Sequence, residues 1–297
     1  MERTSFYDQI SKNKRDSVFL FIFVFLILFI FIYVIGLIFA PEYYLSLIII
    51  GFILVFAYTY STYNYGDQIV LKVTNAKPVD NDKRYVHLIN TVEGLSIGAG
   101  IKKPKIYVIE SEELNAFATG KDPEHASIAV TTGLLNNLKR DEIEGVVGHE
   151  LSHIKNYDIR FATLVAVMVG LIAIISHLFL RSFWYARTGK RDEKGSGILI
   201  LAGLLLAIIA PIIVRLVQFA MSRKREFLAD ASSAKLTRYP EGLASALEKI
   251  SKINRGNMKV SEAVSHLFFV DPNRTNLDRL YATHPPVEER IRILRSM

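Results

Sequence analysis

Two long apolar stretches without a charged residue dominate the N-terminal part of the chain. They run from Ser17 to Ala40 and from Tyr43 to Gly66, and each exceeds the roughly 20 residues that a helix needs to cross a bilayer. A signal peptide is the alternative for the first stretch, but its apolar part is too long and no small-residue cleavage site follows. The pattern predicts a transmembrane hairpin over residues 17–66, with helices at about 17–40 and 43–63.

Two further apolar stretches predict a second hairpin over residues 161–220. Its helices cover about 161–180 and 197–220, and Pro211 is expected to kink the second of them. Helices buried in a large soluble core can be equally apolar, but the rest of the chain is too short to enclose four of them. Membrane insertion is therefore the preferred interpretation.

Between and after the hairpins the pattern changes to that of a soluble domain. Apolar periodicity and β-branched runs predict these elements: a helix near Asp80–Gly98, strands at Lys105–Glu110 and Ser127–Thr131, and helices at Pro240–Asn254 and Val287–Leu294. The predicted fold is mainly α with a small β-sheet, in a multi-pass α-helical membrane protein.

The sequence HELSH at residues 149–153 carries the strongest chemical signal. Residues four apart in a helix differ by about 40° around the axis, so His149 and His153 can bind one metal ion from one face. Glu150 lies beside them and can accept a proton from a zinc-bound water, whose pKa the metal lowers to near neutrality. The motif therefore predicts peptide-bond hydrolysis by a zinc-activated water.

Two surface histidines on a solvated helix are the alternative interpretation of HELSH. The flanking residues argue against it, because their spacing is that of a helix with a buried apolar face: Ile143, Val146, Val147, Leu151 and Ile154. Acidic residues in the first turn are typical of a helix start.

A second motif, EFLAD at residues 226–230, supplies what this site still lacks. A catalytic zinc ion has three protein ligands and one open position, and Glu226 suits the two-His, one-Glu type. Asp230 lies one turn later and can accept a hydrogen bond from the ring N–H of a zinc-bound histidine, with His149 as the favoured partner. On its own EFLAD is consistent with an ordinary solvated helix. Its occurrence in the same chain as HELSH is what indicates a metal site. One zinc ion per chain is expected.

These motifs resemble the signature segments of the HtpX-type membrane zinc metalloproteases, in the wider Ste24-like metalloprotease group. The similar segments are HELSHIKNYD, SRKREFLAD, LYATHPPVEERI, LNAFATG and SIAVTTGLL, and together they cover most of the chain. The resemblance implies a zincin-like metalloprotease domain in which His149, His153 and Glu226 bind zinc. Glu150 is then the general base, and Asp230 supports a ligand. Misfolded or damaged membrane proteins, or unfolded polypeptides, are the substrates that the resemblance implies, in protein quality control under stress.

Three further features are candidates for contact with the substrate. The strand Ser127–Thr132 is a candidate for pairing with an extended substrate, although an ordinary edge or core strand is equally consistent. Asn115 lies nearby in the sequence, and the resemblance implies that it binds substrate. His284, in the sequence THPP, could donate a hydrogen bond to the oxyanion of the tetrahedral intermediate. A helix-capping turn set by the two prolines explains His284 equally well.

The spacing of the motifs constrains the topology. His153 and Glu226 must meet at one ion, so the chain between them crosses the membrane twice or not at all. Lys and Arg residues precede the first apolar stretch, whereas the loop after it has none, so the positive-inside rule places residues 1–16 in the cytoplasm. The two parts of the protease domain, 67–160 and 221–297, then lie there too. We expect a protein of the cell membrane whose active site faces the cytoplasm.

One loop opposes this topology. Two full crossings would place it outside, yet it carries five positive charges: Arg181, Arg187, Lys190, Arg191 and Lys194. Either the first hairpin determines the orientation, or the second hairpin is re-entrant or incompletely inserted. The sequence leaves both options open.

Other functional classes are less consistent with the sequence. The formal net charge of +7 reflects Lys and Arg residues that flank apolar stretches, and no nucleic-acid-binding motif accompanies it. A membrane adaptor with a structural, non-proteolytic zinc site is the alternative function, but a closed site needs a fourth Cys or His, and the chain has no cysteine. A transporter would need ionisable groups within the apolar stretches, which offer almost none. The oligomeric state and the physiological substrate are left open.

Overall fold

The computed structural model describes residues 11, 13–23, 25–26, 29, 41–168, 170, 223–258, 260–272 and 285–297. The first predicted span, 17–40, therefore lies partly outside the described residues. The second predicted hairpin lies outside them from residue 171 onward, as do the basic loop Arg181–Lys194 and the candidate residue His284.

Helices make up most of the described chain. They are α1 (13–23), α2 (Tyr44–Val73), α3 (Val86–Ala99), α4 (Thr132–Asn137), α5 (Arg140–Lys155), α6 (158–168), α7 (Arg223–Thr237), α8 (Pro240–Ile253), α9 (Glu262–Ser265) and α10 (Val287–Leu294). The helices predicted at Asp80–Gly98, Pro240–Asn254 and Val287–Leu294 correspond to α3, α8 and α10. Helix α3 starts later than predicted because a 3-10 turn, Lys83–Tyr85, precedes it.

A mixed four-stranded sheet accompanies the helices. Its strands are β1 (Lys77–Pro78), β2 (Lys105–Ile109), β3 (Ala116–Gly120) and β4 (Ala126–Thr131), and they lie side by side in the order β1-β2-β4-β3. Strands β2 and β4 are parallel, and the other two pairings are antiparallel. The prediction of a mainly α fold with a small sheet is confirmed.

The predicted substrate strand occupies an interior position in this sheet. Strand β4 contains most of Ser127–Thr132, and it is hydrogen-bonded to β2 on one side and to β3 on the other. Its backbone groups are therefore already paired, and the prediction that an extended substrate pairs with it is wrong. Strand β3, which the sequence analysis did not identify, lies at the end of the sheet.

Helix α5 lies at the centre of the domain, against α3, α7, α8 and β3. Its apolar face is fully enclosed, since Val146, Leu151 and Ile154 are at most 1 % exposed. Gly148 lies against Ser233 of α7, where even a Cβ atom would come within 2.9 Å of the serine hydroxyl. Because α7 also carries Glu226, this close approach brings the two motif helices together.

Among the described residues, one helix is long and apolar enough to cross a membrane, over Ile48–Val73 within α2. Many of its large apolar side chains are exposed, as expected for a surface in contact with lipid. Phe52 packs edge-on against Phe25, with ring centroids 5.5 Å apart, and Tyr63 packs against Phe21 at 6.4 Å. The earlier residue of the N-terminal segment, Phe21, contacts the later residue of α2, Tyr63. The two segments therefore run antiparallel.

Candidate metal centre

Helix α5 begins at a well-defined point, which determines the face that its histidines occupy. The backbone N–H of Lys139 donates a 2.6 Å hydrogen bond to the Glu142 carboxylate, in a capping-box arrangement. The carboxylate of Glu142 also accepts hydrogen bonds from Ser245 and Lys249 of α8, each 2.7 Å long. The N-terminal turn of α5 is therefore tied to α8, and the opposite end of the helix presents HELSH to α7.

The three predicted metal ligands converge at one point. The Nε2 atoms of His149 and His153 lie 3.1 Å apart. Carboxylate oxygens of Glu226 lie 3.6 Å from Nε2 of His149 and 3.5 Å from Nε2 of His153. All three side chains are largely withdrawn from solvent, and their ligand atoms lie within 4.8 Å of one another.

This donor set fits a zinc ion. Tetrahedral zinc with metal–nitrogen distances of about 2.0–2.1 Å holds its ligand atoms roughly 3.3 Å apart. The Nε2 atoms of the two histidines, 3.1 Å apart, lie close to that value, and they are 3.6 and 3.5 Å from the two different oxygens of the Glu226 carboxylate. Two imidazoles and one carboxylate are also the ligand types of catalytic zinc sites.

Asp230, the residue predicted to support His149, lies within hydrogen-bond distance of it and has a partner of its own. Oδ1 of Asp230 lies 2.9 Å from Nδ1 of His149. An ionised carboxylate can only accept, so Nδ1 carries the hydrogen and Nε2 keeps a lone pair for a metal. Arg290 of α10 donates two hydrogen bonds to Asp230, at 2.8 and 2.7 Å, and its guanidinium lies over the ring of Phe269. Arg290 itself is only 1 % exposed.

A second carboxylate holds the second histidine. Oδ2 of Asp158 lies 2.9 Å from Nδ1 of His153. Helix α5 ends at Lys155, and after it Tyr157 adopts a left-handed backbone conformation, with φ of 61°, before α6 begins at Asp158. This reversal turns the Asp158 side chain back toward His153. The same carboxylate is contacted by Asn13 of α1 at 2.6 Å and by Arg225 of α7 at 3.6 Å.

The carboxylates and the burial of the site move the pKa values of its groups apart. Burial lowers the pKa of His149 to about 4 against the opposing effect of Asp230. Burial acts the same way on His153, but the Asp158 hydrogen bond and the charge of Glu226 raise the pKa of His153 to about 9. Burial raises the pKa of Asp230, yet the Arg290 guanidinium brings that pKa down to about 2. Nε2 of His153 can bind a metal ion only in the neutral form of the ring, so a raised pKa of His153 opposes metal binding at low pH.

Glu150 lines the same cleft as the three candidate ligands. The cleft walls come from β3, α5, α6, α7 and the segment after α9, including Ala118, Ile159 and Phe268. Glu150 lies within this enclosure and is 2 % exposed. A carboxyl group in such surroundings is shielded from bulk water and lies close to whatever the cleft binds.

Strand β3 presents one open position to the cleft. Its register with β4 turns the backbone groups of Ala116, Ala118 and Gly120 away from β4. The carbonyl of Ala116 accepts a hydrogen bond from the N–H of Phe269 at 2.8 Å, and the N–H of Gly120 donates to Thr163 at 3.2 Å. Between them, the N–H and C=O of Ala118 have no hydrogen-bond partner on this outer edge among the residues that the structure describes.

Asn115 lies behind the cleft, in a structural position. Its side chain accepts hydrogen bonds from the N–H groups of Ala116 and Val270 and donates one of 2.7 Å to the Val270 carbonyl. It is fully buried and holds the 269–270 segment against β3. Direct binding of substrate by Asn115 stays a prediction. So does the role of His284, which lies outside the described residues.

The sequence analysis did not assign a role to Asp158 or Arg290. Arg290 is 60 positions from Asp230, and it belongs to an amphipathic helix in which a buried arginine has no distinguishing pattern. Asp158 follows His153 by five residues, a spacing that places it outside the helical face of HELSH. Only the left-handed turn at Tyr157 brings it back, and sequence spacing does not reveal such a turn.

Known proteins resemble this chain in sequence and in structure. Peptidase family M48 matches residues 82–297. A protein named Protease HtpX homolog from Dictyoglomus thermophilum is 46 % identical, and the match covers 100 % of this chain and 96 % of that protein. Its namesake from Caldanaerobacter subterraneus subsp. tengcongensis is 48 % identical over 82 % of this chain and 83 % of its own. The crystal structure of S. mikatae Ste24p matches with 21 % identity and a TM-score of 0.49, over 91 % of this chain and 62 % of that one.

Proposed function

Since this chain belongs to peptidase family M48 and is a metalloprotease, we propose that it is a zinc-dependent endopeptidase with one zinc ion per chain. One observation carries the proposal: the ligand atoms of His149, His153 and Glu226 converge within 4.8 Å of one another. Glu150 occupies the same cleft. The family defines the class of reaction, and the convergence supports the roles assigned to individual residues.

Each residue of the site has a defined task in this proposal. His149, His153 and Glu226 would hold the zinc ion, which would supply a Lewis acid for the attacking water and the scissile carbonyl. Glu150 accepts the proton of the attacking water and later donates it to the leaving amine. Asp230 and Asp158 keep both imidazoles in the tautomer whose Nε2 lone pair faces the ligand cluster.

Strand β3 is the proposed docking edge for the substrate backbone. The N–H and C=O of Ala118 point toward the cleft and can pair with one residue of an extended peptide, as in strand addition to a sheet edge. Phe269 and Thr163 already bind the positions on either side. The substrate backbone can therefore pair with β3 at one residue only. Side chains that line the cleft would then determine which substrates bind.

The membrane assignment extends beyond the described residues. The apolar helix Ile48–Val73 and the antiparallel packing of α1 on α2 support a first hairpin. We propose a multi-pass protein of the cell membrane, with a second apolar hairpin within 161–220 and with the active site facing the cytoplasm. Damaged or misfolded membrane proteins are the proposed substrates, on the resemblance of the motifs alone.

A membrane adaptor with a structural zinc ion is the less favoured alternative. A structural site closes its fourth position with a further Cys or His. The chain has no cysteine, and the metal-ligand cluster found among the described residues has three members. This arrangement leaves a coordination position for a water molecule or a substrate.

The test is the Glu150→Gln variant of the full-length protein, purified in detergent and supplied with zinc. We expect it to bind zinc like the unchanged protein and to lose activity on casein by about 10²–10⁴-fold, because the general base is removed. Glu144→Gln is the matched control, since Glu144 lies on the same helix and pairs with Arg140 at the surface. Substantial proteolysis by Glu150→Gln would refute the mechanism. Stoichiometric zinc with no cleavage of casein or membrane proteins by the unchanged chain would favour the adaptor.

A further inference from the structure

The carboxylate of Asp158 sits at a junction between three parts of the chain. It contacts Nδ1 of His153 at 2.9 Å, the amide of Asn13 at 2.6 Å and the guanidinium of Arg225 at 3.6 Å. Asp158 is 6 % exposed and Asn13 is 5 % exposed, so these contacts are made away from water. Hydrogen bonds between buried groups hold their partners in a single geometry.

The two sides of the metal centre are built alike. On one side Asp230 binds His149 and is held by Arg290. On the other side Asp158 binds His153, and Asn13 is the partner within hydrogen-bond distance. The contact from Arg225 is longer, at 3.6 Å, and makes an ion pair without a direct hydrogen bond.

Asn13 is held through the nitrogen of its side-chain amide and through its main-chain carbonyl. Its Nδ2 group donates to the carbonyl of Asn156 at 2.9 Å as well as to Asp158, so both amide hydrogens are used. Its main-chain carbonyl accepts a hydrogen bond from the hydroxyl of Ser17. Asn13 therefore clamps the turn between α5 and α6, which is the turn that aims Asp158 at His153.

We propose that Asp158 is a positioning residue for His153 and that Asn13 holds Asp158 in place, which makes the N-terminal segment part of the metal site. Asn13 precedes the first apolar stretch and lies outside the 82–297 region matched by family M48. The inference rests on the proposed zinc site and adds a contribution from a segment that the protease domain itself does not contain.

The experiment measures zinc affinity of the full-length protein in detergent, by competition with a chelator, together with the visible absorption of its cobalt-substituted form. Loss of a group that orients a metal ligand costs about 10–100-fold in affinity. We expect Asp158→Ala to lose zinc affinity within that range and Asn13→Ala to lose about 10-fold. The cobalt spectrum of both variants should change because the His153 ring is less well oriented.

The double variant separates a positioning role from a structural one. If Asn13 acts through Asp158, then Asn13→Ala should change zinc affinity less than about twofold when Asp158 is already alanine. Asn13→Asp keeps the size of the side chain and replaces the donor by a carboxylate facing Asp158. Its zinc affinity is expected to fall at least as far as that of Asn13→Ala.

Two controls accompany these variants. Arg15→Ala changes an exposed residue of the same helix. Asp122→Asn changes a surface carboxylate that also contacts a histidine, His125, at 2.7 Å. Both should bind zinc normally. Wild-type zinc affinity in Asn13→Ala and Asn13→Asp, or equal losses from Asn13→Ala in both backgrounds, would overturn the inference. Failure of the unchanged protein to bind zinc would instead overturn the proposed metal site.

Discussion

At the scale of single residues, the least expected feature is an arginine with almost no exposed surface. Arg290 is 1 % exposed and lies against two carboxylates, Asp230 at 2.7 Å and Glu226 at 3.8 Å. A buried charge is tolerated only where opposite charges and hydrogen bonds replace its hydration. Arg290 therefore balances the negative charge that the metal site gathers.

Replacement of Arg290 by methionine should destabilise the protein. The change keeps much of the side-chain volume but leaves Asp230 without its cationic partner, and breaking a buried pair in this way costs about 3–5 kcal/mol. Denaturant unfolding of the metal-free protein in detergent measures the effect. Arg292→Met, at an exposed position of the same helix, is the control. Equal unfolding midpoints for the two variants would contradict this account of Arg290.

The residues of the site differ in how far the sequence reveals them. His149 and His153 are found by their helical spacing, and Glu226 by its occurrence with HELSH. Asp158 and Arg290 are found only in the folded chain, because each reaches its histidine or carboxylate through a turn or a helix contact. Aspartate and arginine are common residues, and the sequence positions of Asp158 and Arg290 do not indicate a role in the site.

At the scale of elements, the packing of α5 depends on glycine, which has no side chain. A Cβ atom at Gly145 would lie 2.7 Å from the backbone nitrogen of Leu243 and 2.8 Å from its Cα. Backbone atoms of α8 cannot move aside as a flexible side chain can. The spacing between α5 and α8 therefore requires glycine at this position.

Gly145→Ala should destabilise the protein by about 1–3 kcal/mol, because overpacking outweighs the better helix propensity of alanine. Gly94→Ala is a matched control in α3, where an added Cβ meets nothing within 4 Å. That control should be more stable by about 0.5–1 kcal/mol. Thermal unfolding of both variants distinguishes the two positions. A stabilised Gly145→Ala protein would show that the helices can separate without cost.

The open edge of β3 gives a second prediction at this scale. Proline tolerates an outward-facing position on an edge strand but has no N–H to donate. Ala118→Pro should therefore keep the fold and bind zinc while kcat/KM for a peptide substrate falls about tenfold, the equivalent of one hydrogen bond. Ala118→Gly retains the N–H and should lose less. Equal activity of Ala118→Pro and the unchanged protein would rule out substrate pairing at this position.

Strand order shows where element prediction from sequence stops. Strands β2 and β4 were predicted because their β-branched runs are distinctive, whereas β3, with the sequence AFATG, lacks such a run. Interior and edge positions depend on which strands become neighbours across the sheet. The β-branched run of β4 favours that strand as the substrate edge, but the sheet order places β4 inside and β3 at the edge.

At the scale of the whole molecule, the cluster of candidate metal ligands joins chain segments on either side of the apolar stretches within residues 161–220. His149 and His153 precede residues 161–220, and Glu226 follows them, yet all three converge. Both parts of the protease domain must therefore lie on the same side of the membrane. The N-terminal segment belongs to that side too, because Asn13 contacts Asp158.

Cysteine labelling tests this arrangement directly, since the natural chain has no cysteine. Glu112→Cys and Lys252→Cys place one exposed thiol in each part of the domain. In intact cells both should resist a membrane-impermeant thiol reagent, and both should react once the cells are permeabilised. Labelling of either variant in intact cells would contradict a cytoplasmic active site. Labelling of only one would contradict the joining of the two parts at one metal ion.

The sequence by itself determined the chemistry and the helical face of the site. Helix periodicity places His149 and His153 together, and the residue types select a metal of the zinc class. The tertiary structure alone decided the strand order and the partners of the ligands. Asn13, Asp158 and Arg290 meet the site through contacts between distant segments, and such contacts depend on how helices pack and how turns redirect the chain. The spacing of residues along the chain shows which side chains share a helical face. It shows little about which distant segments come into contact.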